Sequence, residues 1–329
     1  MSEPRHGDRR WLAGAARLAA RARPLSRPNP AVGAIIVRDR IVVGRGWTQA
    51  GGRPHAEAIA LKQAGSAAVG ATLYVTLEPC AHQSDRGPAC ADLIARSGLA
   101  RVVIGCKDPD SRTAGNGIAT IRKAGIEVQI CESAAATASL SGYLSARRRG
   151  RPEVTLKLAM SLDGCIATAN GESQWITGKA ARAHCHAMRA KSDAILVGGG
   201  TLRADAPRLD VRLPGLAERS PQRWVLTRGE APLGWHALAA PEAISTMPGT
   251  QYLFVEGGAQ TAAAFLAADL VDRLLIYRAP LLIGTGLPAI ADLGLESLGS
   301  AHGRWHREDH RQLGSDTLDV YSRSPCSQV

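Results

Sequence analysis

The spacing of apolar residues along the chain switches repeatedly between the helical and the strand period, and each switch marks an element. Residues 11–22 set apolar positions three to four apart, broken by Arg17 and Arg21, which predicts an amphipathic helix. Pro24, Pro28 and Pro30 then force an extended loop around Asn29, because proline fixes φ and restricts the residue before it. Two β-rich runs follow, 32–38 and 41–46, with Arg38-Asp39-Arg40 as the hairpin turn between them. Pro54 opens a helix over 55–64, at a position where its missing N–H costs nothing. The pattern continues with a strand over 71–77, a helix over 90–97, a strand over 101–105, a helix over 118–124 and a strand over 127–131. Strands alternating with helices predict an α/β layered domain.

The stretch Arg147-Arg148-Arg149 with Arg151, ending in Pro152, reads as a solvated linker and a domain boundary. A second α/β pattern begins with a strand over 154–159. Residues 174–177 lead into a helix over 180–190, and a buried strand over 194–197 runs into Gly198-Gly199-Gly200-Thr201. Strands follow over 224–226, 252–255 and 273–277, and Gly257-Gly258 opens a helix over 260–267. Two domains, 1–146 and 152–325, agree with a length of 329 residues, since a single core rarely grows that large.

Composition adds constraints rather than elements. With 45% hydrophobic, 21% charged and 4% aromatic residues, the chain reads as an ordinary globular protein with an aliphatic core. Its net charge of +11 fits either nucleic acid or phosphorylated small molecules. No arginine run is interleaved with aromatics that would stack bases, which favours the small molecules. Seven cysteines, an odd number at irregular spacing, argue against a disulfide framework and for a reducing compartment, the cytoplasm. No signal peptide is read at the N-terminus, and no run of about 18 apolar residues predicts a membrane span.

Candidate chemistry concentrates in two places. His55-Ala56-Glu57 stands at a helix start, Cys80 at a strand end and Cys90 at the next helix start. A catalytic zinc site takes three protein ligands and keeps its fourth position open; one histidine and two cysteines meet that count. Zinc brings the pKa of water towards neutrality, and a carboxylate that is not a ligand, here Glu57, can carry the proton. A lone histidine or cysteine is more often a packed core residue, but H-x-E, then P-C, then a later cysteine, is the arrangement of zinc deaminases. In the second domain, glycines after strands at 198–200 and 257–258 let backbone approach a phosphate or nicotinamide, and Arg189 and Arg212 can grip a phosphate through bidentate bonds.

Four segments carry a resemblance: SRPNPAVGAIIV at 26–37, PHAEAIA at 54–60, ATLYVTLEPC at 71–80 and DPDSRTAGNG at 108–117. Together they resemble the deaminase half of the bifunctional riboflavin-biosynthesis deaminase/reductase family, the RibD type. The features of residues 157–264 resemble its reductase half. The resemblance implies a cytidine-deaminase-like three-layer α/β/α domain followed by a dihydrofolate-reductase-like α/β domain, with Zn2+ and NADPH as cofactors. It implies deamination of a phosphoribosylated diaminopyrimidinone to a uracil, then reduction of the ribosyl group to ribityl, by a homo-oligomer with no nucleic-acid or membrane partner. By position, His55, Cys80 and Cys90 hold the metal and Glu57 is catalytic, with Asn29 and His82 as deaminase substrate contacts. Ala159, Trp175, Thr201, Asp205 and the turn Gly258, Ala259, Gln260, Thr261, Ala262, Ala263, Ala264 match cofactor positions. Ser173, Arg189, Leu209, Arg212 and Glu256 match reductase-substrate positions, and Lys157 and Glu256 are candidates for proton handling.

Two departures stand out. The loop from Cys80 to Cys90 is one residue longer than the resemblance implies, which unsettles the part Arg86 plays. Residues 227–253 are few and rich in Gly, Pro and Ala where a longer strand–helix unit is implied, so the cofactor wall there is missing or rebuilt. Rival readings are a deaminase with a degenerate reductase domain, a tRNA or nucleoside deaminase, and a zinc-stabilised RNA-binding module. The nine residues between Cys80 and Cys90 speak against the nucleoside enzymes, and Glu57 against a purely structural metal.

Overall fold

The β-rich runs assemble into two main sheets, one in each of the units Met1–Gly150 and Arg151–Val329. The protein is described here by a computed structural model covering residues 7–82 and 86–324. Part of the lengthened loop after Cys80 (residues 83–85) and Cys326 lie outside the described residues.

The first unit runs α1 (Asp8–Ala19), β1 (Gly33–Arg38), β2 (Ile41–Trp47), α2 (Ala56–Ala64), β3 (Thr72–Val75), α3 (Cys90–Ala95), β4 (Arg101–Ile104), α4 (Asn116–Lys123), β5 (Glu127–Ile130), α5 (Ala134–Ser139) and α6 (Ser141–Arg149). Its sheet has the order β2-β1-β3-β4-β5, with β2, β1 and β3 antiparallel and β3, β4 and β5 parallel. Asp39 and Arg40 both take positive φ, as the tight turn of the β1–β2 hairpin demands. Side chains alternate across the sheet. Ala34, Ile36, Leu73, Val75, Val102 and Ile104 pack under α2, α3, α4 and α6, while Ile35, Val37, Tyr74 and Val103 pack under α1. The result is three layers.

The first helix begins and ends three residues earlier than its apolar pattern predicts, because Asp8 is drawn into the core. Arg101 on β4 grips it through two bonds of 2.9 Å, and the Tyr74 hydroxyl donates to it at 3.1 Å. Both charges are almost wholly buried, at 4% and 1% side-chain exposure. Removing one partner strands the other in low dielectric. Arg101→Met is therefore expected to cost about 3–5 kcal/mol of stability, read as a lowered urea midpoint; an unchanged midpoint would show that the pair contributes little.

The second unit runs β6 (Glu153–Met160), β7 (Cys165–Ala167), α7 (Lys179–Arg189), β8 (Ala194–Gly198), α8 (Gly199–Asp205), β9 (Gln222–Leu226), β10 (His236–Leu238), β11 (Tyr252–Val255), α9 (Ala259–Ala267), β12 (Arg273–Arg278), β13 (Leu287–Pro288), β14 (Trp305–Leu313) and β15 (Asp316–Arg323). Its eight-stranded sheet has the order β10-β9-β8-β11-β6-β12-β15-β14; the first six are parallel, and the C-terminal hairpin β14–β15 closes it antiparallel. Alternation again sends Leu156, Leu196 and Val255 towards α9, and Ile195, Phe254 and Tyr277 towards α7.

Several expectations change here. The arginines 147–149 are not linker: they form the last turn of α6. The segment 227–253 does hold a strand, since β10 pairs in parallel with β9 and Leu238, Ile244 and Met247 enter the core. The hairpin β14–β15 has no counterpart in the sequence reading. β14 reads Trp-His-Arg-Glu-Asp-His-Arg-Gln-Leu and is mostly exposed, so its apolar signal is absent, while its charges suit an edge strand.

Candidate active sites

In the first unit, His55 is the residue that caps α2, and α2 rests directly on β2. A side chain on Gly44 or Gly46 would collide with backbone oxygens of Ala60 or Ala56, at 2.3 and 2.0 Å from the added carbon, so bare backbone at these two positions sets the depth of α2. Cys80 follows β3, and Cys90 is the first residue of α3. His55 Nδ1 lies 3.5 Å from Cys80 Sγ and 3.3 Å from Cys90 Sγ, and the three donor atoms all lie within 4.8 Å of one another. The Cys90 amide donates to Cys80 Sγ at 3.3 Å. Hydrogen bonding from Cys90, then from His55, favours the Cys80 thiolate and in turn pushes the Cys90 thiol up. A soft sulfur pair and one imidazole nitrogen in one small volume is a donor set suited to zinc.

Glu57 is 3% exposed, and burial pushes its carboxyl above the ordinary range. It lines a cavity of about 220 Å3 together with His55, Cys80, Asn29 and His82. His82 Nδ1 is buried without a hydrogen-bond partner among the described residues. Asn29 lies across Gly52, whose φ of +85° and lack of a side chain admit it: a β-carbon there would meet Asn29 Nδ2 at 1.7 Å. Arg86 lines the same cavity and donates to the Gly51 carbonyl at 2.7 Å.

Sequence reasoning missed Glu78, which precedes Pro79-Cys80. It is 2% exposed, and its carboxylate accepts the backbone N–H groups of Gly115 at 2.9 Å, Ile118 at 3.3 Å and Asp108 at 3.4 Å. It thereby ties the loop 108–117 to the strand end that carries Cys80. Only tertiary contacts reveal this role, because all three amides lie 30 to 40 residues away.

In the second unit a cavity of about 550 Å3 opens beyond the carboxyl ends of parallel strands, where α/β sheets commonly bind ligands. Lys157 and Ala159, Ser173 and Trp175, Arg189, Thr201 and Asp205, Leu209 and Arg212, and Glu256 and Gly258 all line it. Positions spread over a hundred residues of chain thus meet in one place. Residues 259–264 do not line it: they form the start of α9 rather than a turn, with Thr261, Ala262 and Ala263 buried. Thr261 presses on Gly198 and Gly257, where a β-carbon would approach it to 2.2 and 2.4 Å. Those glycines therefore serve close helix packing under the cavity floor.

Glu256 also departs from expectation. Arg189 binds it bidentately, Nε to Oε1 at 2.6 Å and Nη2 to Oε2 at 3.0 Å, and Lys157 Nζ is 3.8 Å away. Burial raises its pKa, but Lys157 and Arg189 outweigh burial and hold the carboxyl below the ordinary range. Glu256 is an ionised clamp, unsuited to donating a proton. The Nε–Nη2 edge of Arg189 is engaged with it and Nη1 donates to the Asp210 carbonyl at 3.0 Å, so most of that guanidinium is taken up within the protein.

Comparison with known proteins agrees with this geometry. Residues 152–318 match the family described as RibD C-terminal domain, and residues 5–106 match the cytidine and deoxycytidylate deaminase zinc-binding region. The riboflavin biosynthesis protein RibD of Aquifex aeolicus is 36% identical over 355 residues, covering 96% of this chain and 98% of its own. The chain belongs to the RibD family. A solved Acinetobacter baumannii RibD superposes with a TM-score of 0.85 at 36% identity, covering 97% of this chain and 99% of that one. A Thermotoga maritima deaminase/reductase superposes with a TM-score of 0.87 at 30% identity and the same coverage. The fold is thus cytidine-deaminase-like in the first part and dihydrofolate-reductase-like in the second. The protein is a bifunctional enzyme of riboflavin biosynthesis with deaminase and reductase activities, using zinc and NADPH. No helix among the described residues is long and apolar enough to cross a membrane.

Proposed function

We propose that residues 1–146 deaminate 2,5-diamino-6-(5-phosphoribosylamino)pyrimidin-4(3H)-one. We propose further that residues 152–325 reduce the resulting 5-amino-6-(5-phosphoribosylamino)uracil to its ribityl form. The solved Thermotoga maritima relative is titled with these two activities. The observation that carries the reading is the convergence of His55, Cys80 and Cys90 donor atoms within 4.8 Å, beside buried Glu57. Zinc, when bound by those three residues, supplies the Lewis acid that makes water reactive near neutral pH. The Glu57 carboxylate takes the proton from the attacking water and passes it to the ring nitrogen and the departing amine. Burial favours this shuttle by drawing the carboxyl pKa upward, nearer to working pH. Asn29 and His82, which line the same cavity, orient the pyrimidine.

In the second cavity Ala159, Trp175, Thr201, Asp205 and Gly258 hold NADPH, which supplies the hydride when bound. Ser173, Arg189, Leu209 and Arg212 hold the substrate, with Glu256 fixing Arg189. Hydride arrives at C1′ of the opened ribose and a proton at the adjoining nitrogen. Glu256 is held ionised, so Lys157 is the proton donor. The convergence of these positions on one cavity supports a working reductase over a degenerate one. We also infer a cytoplasmic homo-oligomer without a nucleic-acid partner, its +11 charge serving phosphorylated ligands.

Chelation tests the division of labour. Stripping zinc is expected to abolish ammonia release from the diaminopyrimidine while NADPH oxidation on the uracil intermediate continues. If both activities fell together in a chain that remained folded, the assignment of zinc to one step would be lost.

A further inference from the structure

Arg147, in a charged stretch that reads as linker, stands in the last turn of α6 and lines the same cavity as His55 and Glu57. A second arginine, Arg112, reaches that cavity from the loop before α4. Both guanidinium groups converge on one carboxylate. Asp110 accepts Arg112 Nε at 2.9 Å and Nη2 at 2.6 Å, and Arg147 Nη2 at 3.3 Å. Asp110 is only 9% exposed, so its position is firm, whereas Arg147 and Arg112 are 44% and 60% exposed. Tyr143 steadies Arg147 from below: the guanidinium carbon lies 5.6 Å from the ring centroid, and the Tyr143 hydroxyl is anchored to Asp108 Oδ1 at 2.8 Å.

Asp110 and Asp108 balance the two guanidinium charges, but Asp110 takes only part of their hydrogen-bonding capacity, and Arg53 and Arg86 line the same cavity. The N–H groups of Arg147 and Arg112 that Asp110 does not take are preorganised for an oxyanion bearing several acceptor oxygens. We propose that Arg147 and Arg112, positioned by Asp110 and Tyr143, hold the phosphate of the deaminase substrate and make the first step selective for the phosphorylated pyrimidine. This deepens the reading of the first cavity as the site of a phosphoribosylated substrate and rests on it.

The test compares deamination of the phosphorylated pyrimidine with that of its dephosphorylated counterpart, by ammonia release from the full-length zinc enzyme. Wild type turning over the phosphorylated compound checks the underlying reading first; no turnover of it would remove that reading, and with it this one. Arg147→Ala is expected to raise KM for the phosphorylated substrate by about 10- to 100-fold, the worth of a lost charge-assisted contact, with kcat nearly unchanged. KM for the dephosphorylated substrate should not move. Arg148→Ala, an exposed neighbour on the same turn, should behave as wild type. Arg147→Gln, which keeps most of the side chain's bulk, guards against a packing effect and should repeat the selective rise. Equal loss on both substrates, or no change on the phosphorylated one, overturns the proposal.

Discussion

Glu57→Gln is expected to stop ammonia release, by about 10²–10⁴-fold in kcat, while the protein keeps its full complement of zinc. The substitution keeps the shape and removes only the ability to take and return a proton. Glu57 is not one of the three donors that converge on one point, which are His55, Cys80 and Cys90. Metal analysis of the purified variant should therefore match wild type. The variant should also retain NADPH oxidation when given the uracil intermediate. A variant that loses zinc along with activity would move Glu57 from proton carrier to ligand. A variant that stays active would require another base.

Arg189→Leu is expected to do the reverse: NADPH oxidation collapses and ammonia release persists. The bidentate bonds at 2.6 and 3.0 Å are lost, leaving Glu256 buried with Lys157 at 3.8 Å as its remaining cation. Breaking a buried pair in this way costs about 3–5 kcal/mol, because the surviving charge keeps its desolvation penalty. The pH dependence has a definite sign. In wild type the Glu256 pKa is depressed on folding, so its contribution is present above the ordinary glutamate range and lost as pH falls through the folded value. Without Arg189 the depression shrinks or reverses, and the second unit loses that stabilisation at neutral pH. Urea midpoints of wild type and variant at pH 7 and pH 4 should therefore differ more at pH 7. A gap that widened towards acid would contradict the assignment of Glu256 as an ionised clamp.

What was legible in the sequence follows from how local each signal is. The hairpin around Asp39 and Arg40, the helix that starts beside Pro54 and the buried strand ending at Gly198 rest on short-range periodicity and turn chemistry, and all are present in the structure. The metal donors were legible because H-x-E and P-C place their side chains at a helix start and a strand end, two positions that local sequence specifies well. The edge strand β14 was not legible, since an exposed strand has no apolar alternation to read, whereas in β15 the alternation of buried Leu318 and Val320 went unread. The shortened segment hid β10 for a related reason: three residues paired with β9 are too few to show a period.

By itself, then, the sequence determined the elements with a clear local period, the metal donors and the pairing of a deaminase with a reductase. Tertiary structure alone decided the rest. It drew Asp8 inward to meet Arg101, made Glu256, a candidate for proton handling, the clamp on Arg189, and hung the loop 108–117 from Glu78. It also carried Arg147 from an apparent linker to the lining of the cavity that holds Glu57. In each case the deciding partner lies more than 30 residues away, and the energetics of a charge depend on whether that partner removes it from water with compensation.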